Sequence, residues 1–133
     1  MKVLFIGDIV GNVGRQMIED YLYRVRKDYQ IDFVIANVEN ATHGKGLNRK
    51  HYDFFTFEGV DCMTMGNHTF DKKELFDFID EADRLVVPYN QPRVLPGGRP
   101  GEIRSAGGEF HAVYDIDESL VPRKSPVKPF SGL

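Results

Sequence analysis

The sequence has a single cysteine, Cys62, which rules out an internal disulfide framework. A reducing, cytoplasmic setting is therefore expected. Long hydrophobic runs are also missing. No stretch approaches the roughly 20 apolar residues that a membrane helix needs. The first run, Met1 to Ile6, is broken by Gly7-Asp8, which is too soon for a secretion signal. Nor is there an excess of positive charge: 17 Lys and Arg stand against 20 Asp and Glu, a formal charge of −3. No global basic field draws the chain to DNA or to anionic lipid, so neither is expected as a partner. There is no internal repeat and no long low-complexity tract.

What remains is the balance of an ordinary globular protein, 41% hydrophobic and 28% charged. The 133 residues make one small domain or part of a larger one. Ten Phe and six Tyr supply much of the apolar surface for a core. Residues 2–7 form a short continuous apolar run ending in Gly-Asp, which predicts a buried parallel strand. Residues 12–29 predict a helix, with Met17, Tyr21, Val25 and Tyr29 recurring every fourth residue and Ile18 and Leu22 widening that face. Residues 32–38 read as a second strand. Asn48 can cap a helix carrying Tyr52, Phe55 and Phe57, with Gly59 ending it. A third strand is expected at 61–65, a helix at 71–82 with Leu75, Phe78, Ile79 and Ala82 inward, and a fourth strand at 85–88.

This alternation defines an α/β domain, a parallel β-sheet with flanking helices. The pattern then changes. Residues 91–101 hold three prolines and three glycines and read as loop. Residues 102–116 predict a C-terminal β-hairpin turning at Gly107-Gly108, with Phe110, Ala112, Tyr114 and Ile116 on one face. The division expected is a domain over 1–117 and a Pro-rich extended tail over 118–133.

Chemistry concentrates where three predicted strands end. Gly7-Asp8 follows the first, Glu39-Asn40 the second and Gly66-Asn67-His68 the third. In open α/β sheets ligands bind beyond the carboxyl ends of the strands. Two carboxylates, two amides and an imidazole converging there suit Mn²⁺, Fe or Zn²⁺. A carboxylate such as Glu39 can bridge two ions, and two-metal sites activate water and neutralise phosphate charge. Taken singly, Asp8 reads as a cap or turn former, Asn40 and Asn67 as turn residues and His68 as a surface imidazole. Three such sets at successive strand ends point to a site.

The segments FIGDIVGNVGR (5–15), NVENATHGKGL (37–47) and TMGNHTFDKKELFDFID (64–80) resemble the calcineurin-like metallophosphoesterases, and among them the bacterial YmdB-type phosphodiesterases. The resemblance spans about the first 100 residues and implies half of a metallophosphoesterase-type β-sandwich. It implies hydrolysis of phosphodiesters, with cyclic nucleotides as the family's substrates and a metal-bridging hydroxide as nucleophile. Asp8 would be a ligand of one metal, Glu39 the bridge, and Asn67 a ligand of the second. Asn40 would be a ligand or a phosphate contact. His68 would protonate the leaving oxygen. Two divalent ions, Fe, Mn or Zn, are the implied cofactors.

The family draws further histidine ligands from a second half. The remaining histidines here do not match them. His43 lies in the ATHGKG loop, His51 opens a helix and is expected to face water, and His111 sits on the hairpin face opposite Phe110 and Ala112. One copy is therefore expected to hold an incomplete site, to turn over weakly, and to self-associate or need a complementing chain. Two alternatives stand beside the enzyme: a non-catalytic relative that binds metal or nucleotide, and a fragment completed by a second chain. Gly7, Gly11 and Gly14 do not form a dinucleotide fingerprint and read as tight-turn positions. Lys45 reads equally as a phosphate contact or an exposed loop residue, and Cys62 as an inert core residue.

Overall fold

A computed structural model describes residues 1–88 in full, together with the backbone of two later strands, Gly101–Ser105 and Gly108–Ala112. The elements of the first part alternate as the apolar runs predict. They are β1 (Val3–Ile6), α1 (Gly11–Asp28), β2 (Phe33–Asn37), α2 (Arg49–Glu58), β3 (Cys62–Thr64), a short α3 (Leu75–Phe78) and β4 (Leu85–Val86). The four strands form one sheet in the order β1-β2-β3-β4, every neighbour parallel. The chain is an α/β domain built on a parallel sheet with helices packed against it.

Consecutive strands that always step the same way, each joined by a right-handed crossover, place all their helices on one face. The packing agrees. Leu4, Ile6, Val34, Ala36, Met63 and Leu85 meet Ile18 and Leu22 of α1, Tyr52 and Phe55 of α2, and Leu75 and Phe78 of α3 in one core. Phe33, Ile35, Cys62 and Val86 form a separate apolar cluster on the other face. Burial pushes the Cys62 thiol up to about 12, with Asp61 adding to the shift, so this cysteine is an inert core residue as expected.

Several sequence expectations are corrected here. β1 is not buried on both faces: Leu4 and Ile6 turn toward the helices, while Val3 and Phe5, 46% and 62% exposed, turn to the other face and lie outside its apolar cluster of Phe33, Ile35, Cys62 and Val86. On α1, Met17 and Tyr21 are exposed, as is Tyr29, which follows the helix as its C-cap, and the buried pair is Ile18 and Leu22. A row repeating every fourth residue drifts by roughly 40° per step around a helix with 3.6 residues per turn, so it cannot stay on one face. Phe57 likewise points outward, 87% exposed, while Tyr52 and Phe55 pack inward. The expected helix over 71–82 is only α3 followed by a 3₁₀ turn at Ile79–Glu81. Before α3 the backbone closes in i→i−3 bonds, Leu75 to Lys72 and Phe76 to Lys73, both at 3.1 Å, which is tighter than an α-helix. Leu75, Phe78, Ile79 and Ala82 nevertheless face inward as expected.

The ends of α2 follow the cap residues. Asn48 accepts a hydrogen bond from the His51 backbone N–H at 2.8 Å, and Gly59 takes a left-handed conformation, φ 96, that ends the helix. β5 (Gly101–Ser105) and β6 (Gly108–Ala112) pair antiparallel with Ser105 opposite Gly108, so Gly108 stands in the strand and not in the turn. The loop expected over 91–101 is corrected at its end, since Gly101 opens β5; its other residues, the turn residues, Tyr114, Ile116 and the 118–133 tail lie outside the described residues.

Candidate active site

Parallel strands all finish at the same edge of a sheet, and here the polar residues follow three adjacent ends. Asp8 comes two residues after β1, Glu39 and Asn40 follow β2, and Asn67 and His68 follow β3. Each lies in the turn leading to the next helix. Backbone hydrogen bonds tie these turns together. Ile9 N–H donates to Asn37 C=O, and Gly11 N–H donates to Asn40 C=O, both at 3.1 Å. Val38 N–H donates to Thr64 C=O at 2.9 Å. The turns are therefore a linked layer, and their side chains are held in register.

Two hydrogen-bonded groups result. In the first, Asn40 Nδ2 donates to Asp8 Oδ1 at 2.7 Å. Asp8 sits at φ 35, in the left-handed region that few non-glycine residues adopt, although Asp tolerates it better than most. Strain of this kind persists where the surrounding structure over-determines it and clusters at functional sites. In the second group, Glu39 Oε2 accepts from the His68 backbone N–H at 3.3 Å, and Glu39 Oε1 lies 3.4 Å from Asn37 Nδ2. His68 Nε2 lies 3.5 Å from Asn67 Nδ2, and His68 Nδ1 lies 2.6 Å from Asp71 Oδ2. Glu39 and Asn40 are neighbours in sequence, so the two groups adjoin. All five residues singled out in the sequence lie at this one edge.

Gly66 makes room for Glu39. A Cβ at Gly66 would meet the Glu39 carboxylate, with Cδ at 2.7 Å, so the glycine permits the close approach. Thr69, buried, closes the turn: its N–H donates to Gly66 C=O at 3.1 Å and its hydroxyl reaches the same carbonyl.

The donor set fits part of a divalent-metal shell. Among the described residues, Asn40 Oδ1 and Asn37 Oδ1 are buried without a hydrogen-bond partner. Such an orphaned oxygen is costly unless something satisfies it, and a cation beside the carboxylates of Asp8 and Glu39 would do so for Asn40. Among the described residues, no group of three or more His, Cys, Asp or Glu stands close enough to hold an ion. The edge therefore offers two carboxylates supplemented by amides and one imidazole.

Two residues at this edge escaped the sequence reading. Asn37 shares the side of β2 that leads to Glu39, two positions on. Asp71 was visible only as the fourth residue of a His-x-x-Asp spacing, which brings the pair together once 68–71 is a turn. One expectation fails: His51 does not face water but is buried, 7% exposed. Its Nδ1 shares a hydrogen bond with Thr42 Oγ1 at 2.7 Å, and that oxygen also accepts from the Asn48 N–H at 3.0 Å. Burial first, then the positive charges of Arg15, His43 and Lys50, lowers its pKa to about 4, so the ring is neutral near pH 7. It braces the 42–48 loop. His43 and Lys45 are exposed on that loop.

A parallel α/β sheet with a carboxylate, amide and imidazole cluster at three strand ends belongs to the class of open α/β domains that bind ligands beyond the carboxyl ends of their strands. The family is then set by comparison: residues 4–133 match the model of the YmdB-like proteins, and the chain belongs to that family. It is 46% identical over 122 residues to the 2′,3′-cyclic-nucleotide 2′-phosphodiesterase of Bacillus subtilis (strain 168), covering 92% of this chain and 46% of that protein. Among solved structures it resembles a hypothetical protein from Thermus thermophilus, with TM-score 0.73 and 37% identity over 84% of this chain and 43% of the other. It also resembles a novel phosphatase from Mycoplasma pneumoniae, with TM-score 0.67 and 43% identity over 76% of this chain and 36% of the other. The chain thus spans less than half the length of the relatives it matches. Among the described residues, no helix is long and apolar enough to cross a membrane.

Proposed function

We propose that this chain supplies the strand-end half of a metal-dependent phosphodiesterase centre, working in the cytoplasm on small phosphodiesters such as 2′,3′-cyclic nucleotides. The observation that carries the reading is the convergence of Asp8–Asn40 with Glu39–His68–Asn67 at one edge of the sheet. Asp8, Glu39, Asn40 and Asn67 would hold two divalent ions, Mn, Fe or Zn, with Glu39 between them. Bound there, such ions supply positive charge against the phosphate oxygens and acidify the attacking water.

The chain's own residues do the rest. The Asp8 carboxylate is held by the Asn40 amide, which leaves its second oxygen for a cation. The Glu39 carboxylate is held by the His68 N–H and by Asn37, so it stays in place between turnovers. His68 presents its Nε2 on the Asn67 side and hands a proton to the leaving oxygen.

A second reading draws on the shortage of charged donors among the described residues: the chain binds metal or nucleotide, and further donors, from elsewhere in the chain or from a second chain, complete the catalytic shell. The test is calorimetric titration of the purified 133-residue chain with Mn²⁺, followed by chromatography of 2′,3′-cyclic AMP incubated with it. Mn²⁺-dependent opening of the 2′ ester supports the first reading. Mn²⁺ binding without turnover supports the second. No Mn²⁺ binding at all removes the first reading and the metal arm of the second, and a parallel titration with 2′,3′-cyclic AMP that also shows no binding removes the second entirely.

A further inference from the structure

We propose that Asp71 is the positioning residue for His68: it fixes the imidazole with Nε2 toward the substrate edge. The proposal rests on the phosphodiesterase reading, in which His68 protonates the leaving oxygen. Asp71 Oδ2 lies 2.6 Å from His68 Nδ1. An ionised carboxylate only accepts, so Nδ1 must carry the hydrogen. The remaining ring nitrogen, Nε2, then faces Asn67, 3.5 Å from its amide. Both ring nitrogens are thereby assigned, and the ring cannot flip without losing the charge-assisted bond.

The pair is not explained as ordinary turn or cap chemistry. Asp71 caps no helix: α3 begins at Leu75, preceded by Glu74, and has no side-chain cap. Among the described residues the Asp71 carboxylate has no partner but His68. The turn itself is already closed by other bonds. Thr69 N–H donates to Gly66 C=O at 3.1 Å and Asp71 N–H donates to His68 C=O at 3.2 Å. The His68 backbone is separately tied to Glu39. The Asp71 side chain therefore orients the ring and not the loop. In the reaction, water oxygen bonds to phosphorus while the P–O bond to the leaving oxygen breaks. The electron pair of that bond stays on the leaving oxygen, which takes the Nε2 proton of the ring in its imidazolium form, while Nδ1–H keeps its bond to Asp71. The attacking water gives up one proton to solvent, and the ring regains one from solvent before the next turnover. Poor leaving groups need that proton and good ones do not.

The experiment compares the 133-residue chain with Asp71→Ala and Asp71→Asn, in two measurements. In the first, long-range ¹H–¹⁵N correlations of the ¹⁵N-labelled chains at about pH 8, well above the ordinary histidine pKa, read the His68 tautomer. Wild type should show the Nδ1–H form, Asp71→Ala a mixture, and Asp71→Asn, whose amide oxygen still accepts, the wild-type form. In the second, Mn²⁺-loaded chains hydrolyse 2′,3′-cyclic AMP, which leaves as an alkoxide, and bis(p-nitrophenyl) phosphate, which leaves as a stabilised phenolate. Loss of Asp71 should lower kcat on the cyclic nucleotide by roughly 10–100-fold at unchanged KM, as losing an orienting partner does. The phenolate should be affected by no more than a few fold, and Asp71→Asn should recover much of the loss. An unchanged tautomer in Asp71→Ala overturns the proposal, and so do equal losses on both substrates. If wild type hydrolyses neither diester, the phosphodiesterase reading fails and takes the catalytic meaning of the pair with it, whatever the ring spectrum reads.

Discussion

Asn40 reaches back across 32 residues to Asp8, its Nδ2 donating to Oδ1 at 2.7 Å. The bond joins the turn after β2 to the turn after β1, and it uses the amide's donor while its oxygen is buried with no partner among the described residues. Asn40 thus has two faces, one that steadies a carboxylate and one suited to a cation.

Asn40→Asp tests that arrangement. It replaces a donor with a second negative charge against Asp8. Without metal, the melting temperature should fall by several degrees. Mn²⁺ should then raise it by more than it raises wild type, because the added charge is relieved only by a cation. Thermal melts with and without Mn²⁺ decide this. An equal Mn²⁺ shift in both proteins would reject a cation site beside Asp8.

Glu39→Gln and Gly66→Ala approach the same carboxylate from two sides. In the first, the substituted amide lacks the full charge and cannot bridge two ions. In the second, a methyl group leaves the charge but occupies the space of the carboxylate. Both should weaken Mn²⁺ affinity at least tenfold by calorimetry, while far-ultraviolet circular dichroism stays that of wild type. Wild-type affinity in Glu39→Gln would reject the bridging role.

At the opposite edge of the sheet, Asp61 concerns stability alone. Its carboxylate accepts from the Val34 N–H at 2.9 Å and pairs with Arg26 at 3.1 Å, with its side chain only 8% exposed. Asp61→Ala leaves the buried Val34 N–H without its carboxylate acceptor and removes the ion pair of Arg26, whose guanidinium keeps the carbonyls of Gly59 and Asp32. The cost should be roughly 3 kcal/mol by urea denaturation. Mn²⁺ affinity of the folded fraction should not change, since this end of the strands is remote from the polar edge.

His51 makes stability depend on pH. Its folded pKa is lowered to about 4, chiefly by burial, against about 6.5 in an unfolded chain. Between those values the unfolded state binds more protons, so acid favours unfolding. The contribution is complete above about pH 6.5 and is lost as the pH falls toward 4. Its size is on the order of 2 kcal/mol. Urea midpoints measured at about pH 7, 5.5 and 4.5, which bracket that window, should fall more steeply for wild type than for His51→Gln. Parallel slopes would mean that the imidazole is not buried in solution.

The sequence alone carried the strand-helix alternation, the caps of α2 and the edge at which polar residues gather. Those follow from local rules. Apolar runs bounded by turns make parallel strands, Asn48 and Gly59 have their own backbone preferences, and parallel strands must all end at one edge. Asp8, Glu39, Asn40, Asn67 and His68 were legible because each stands in the turn that follows a strand.

Tertiary structure decided everything that depends on what lies opposite. Met17, Tyr21 and Ile18 are all apolar residues on one helix, yet only Ile18 is buried, because only its side meets the sheet. Val3 and Phe5 are exposed because the apolar cluster on their face of the sheet is built from β2, β3 and β4 and does not extend to β1. His51 is buried by a loop that folds over it and offers Thr42. Asp71 meets His68 because the backbone turns between them, just ahead of the span expected as a helix, with Asp71 N–H donating to His68 C=O. In each case the residue's chemistry was readable, but its partner was not, since contacts between distant segments are set by the packing of the whole core and not by any local preference of the chain.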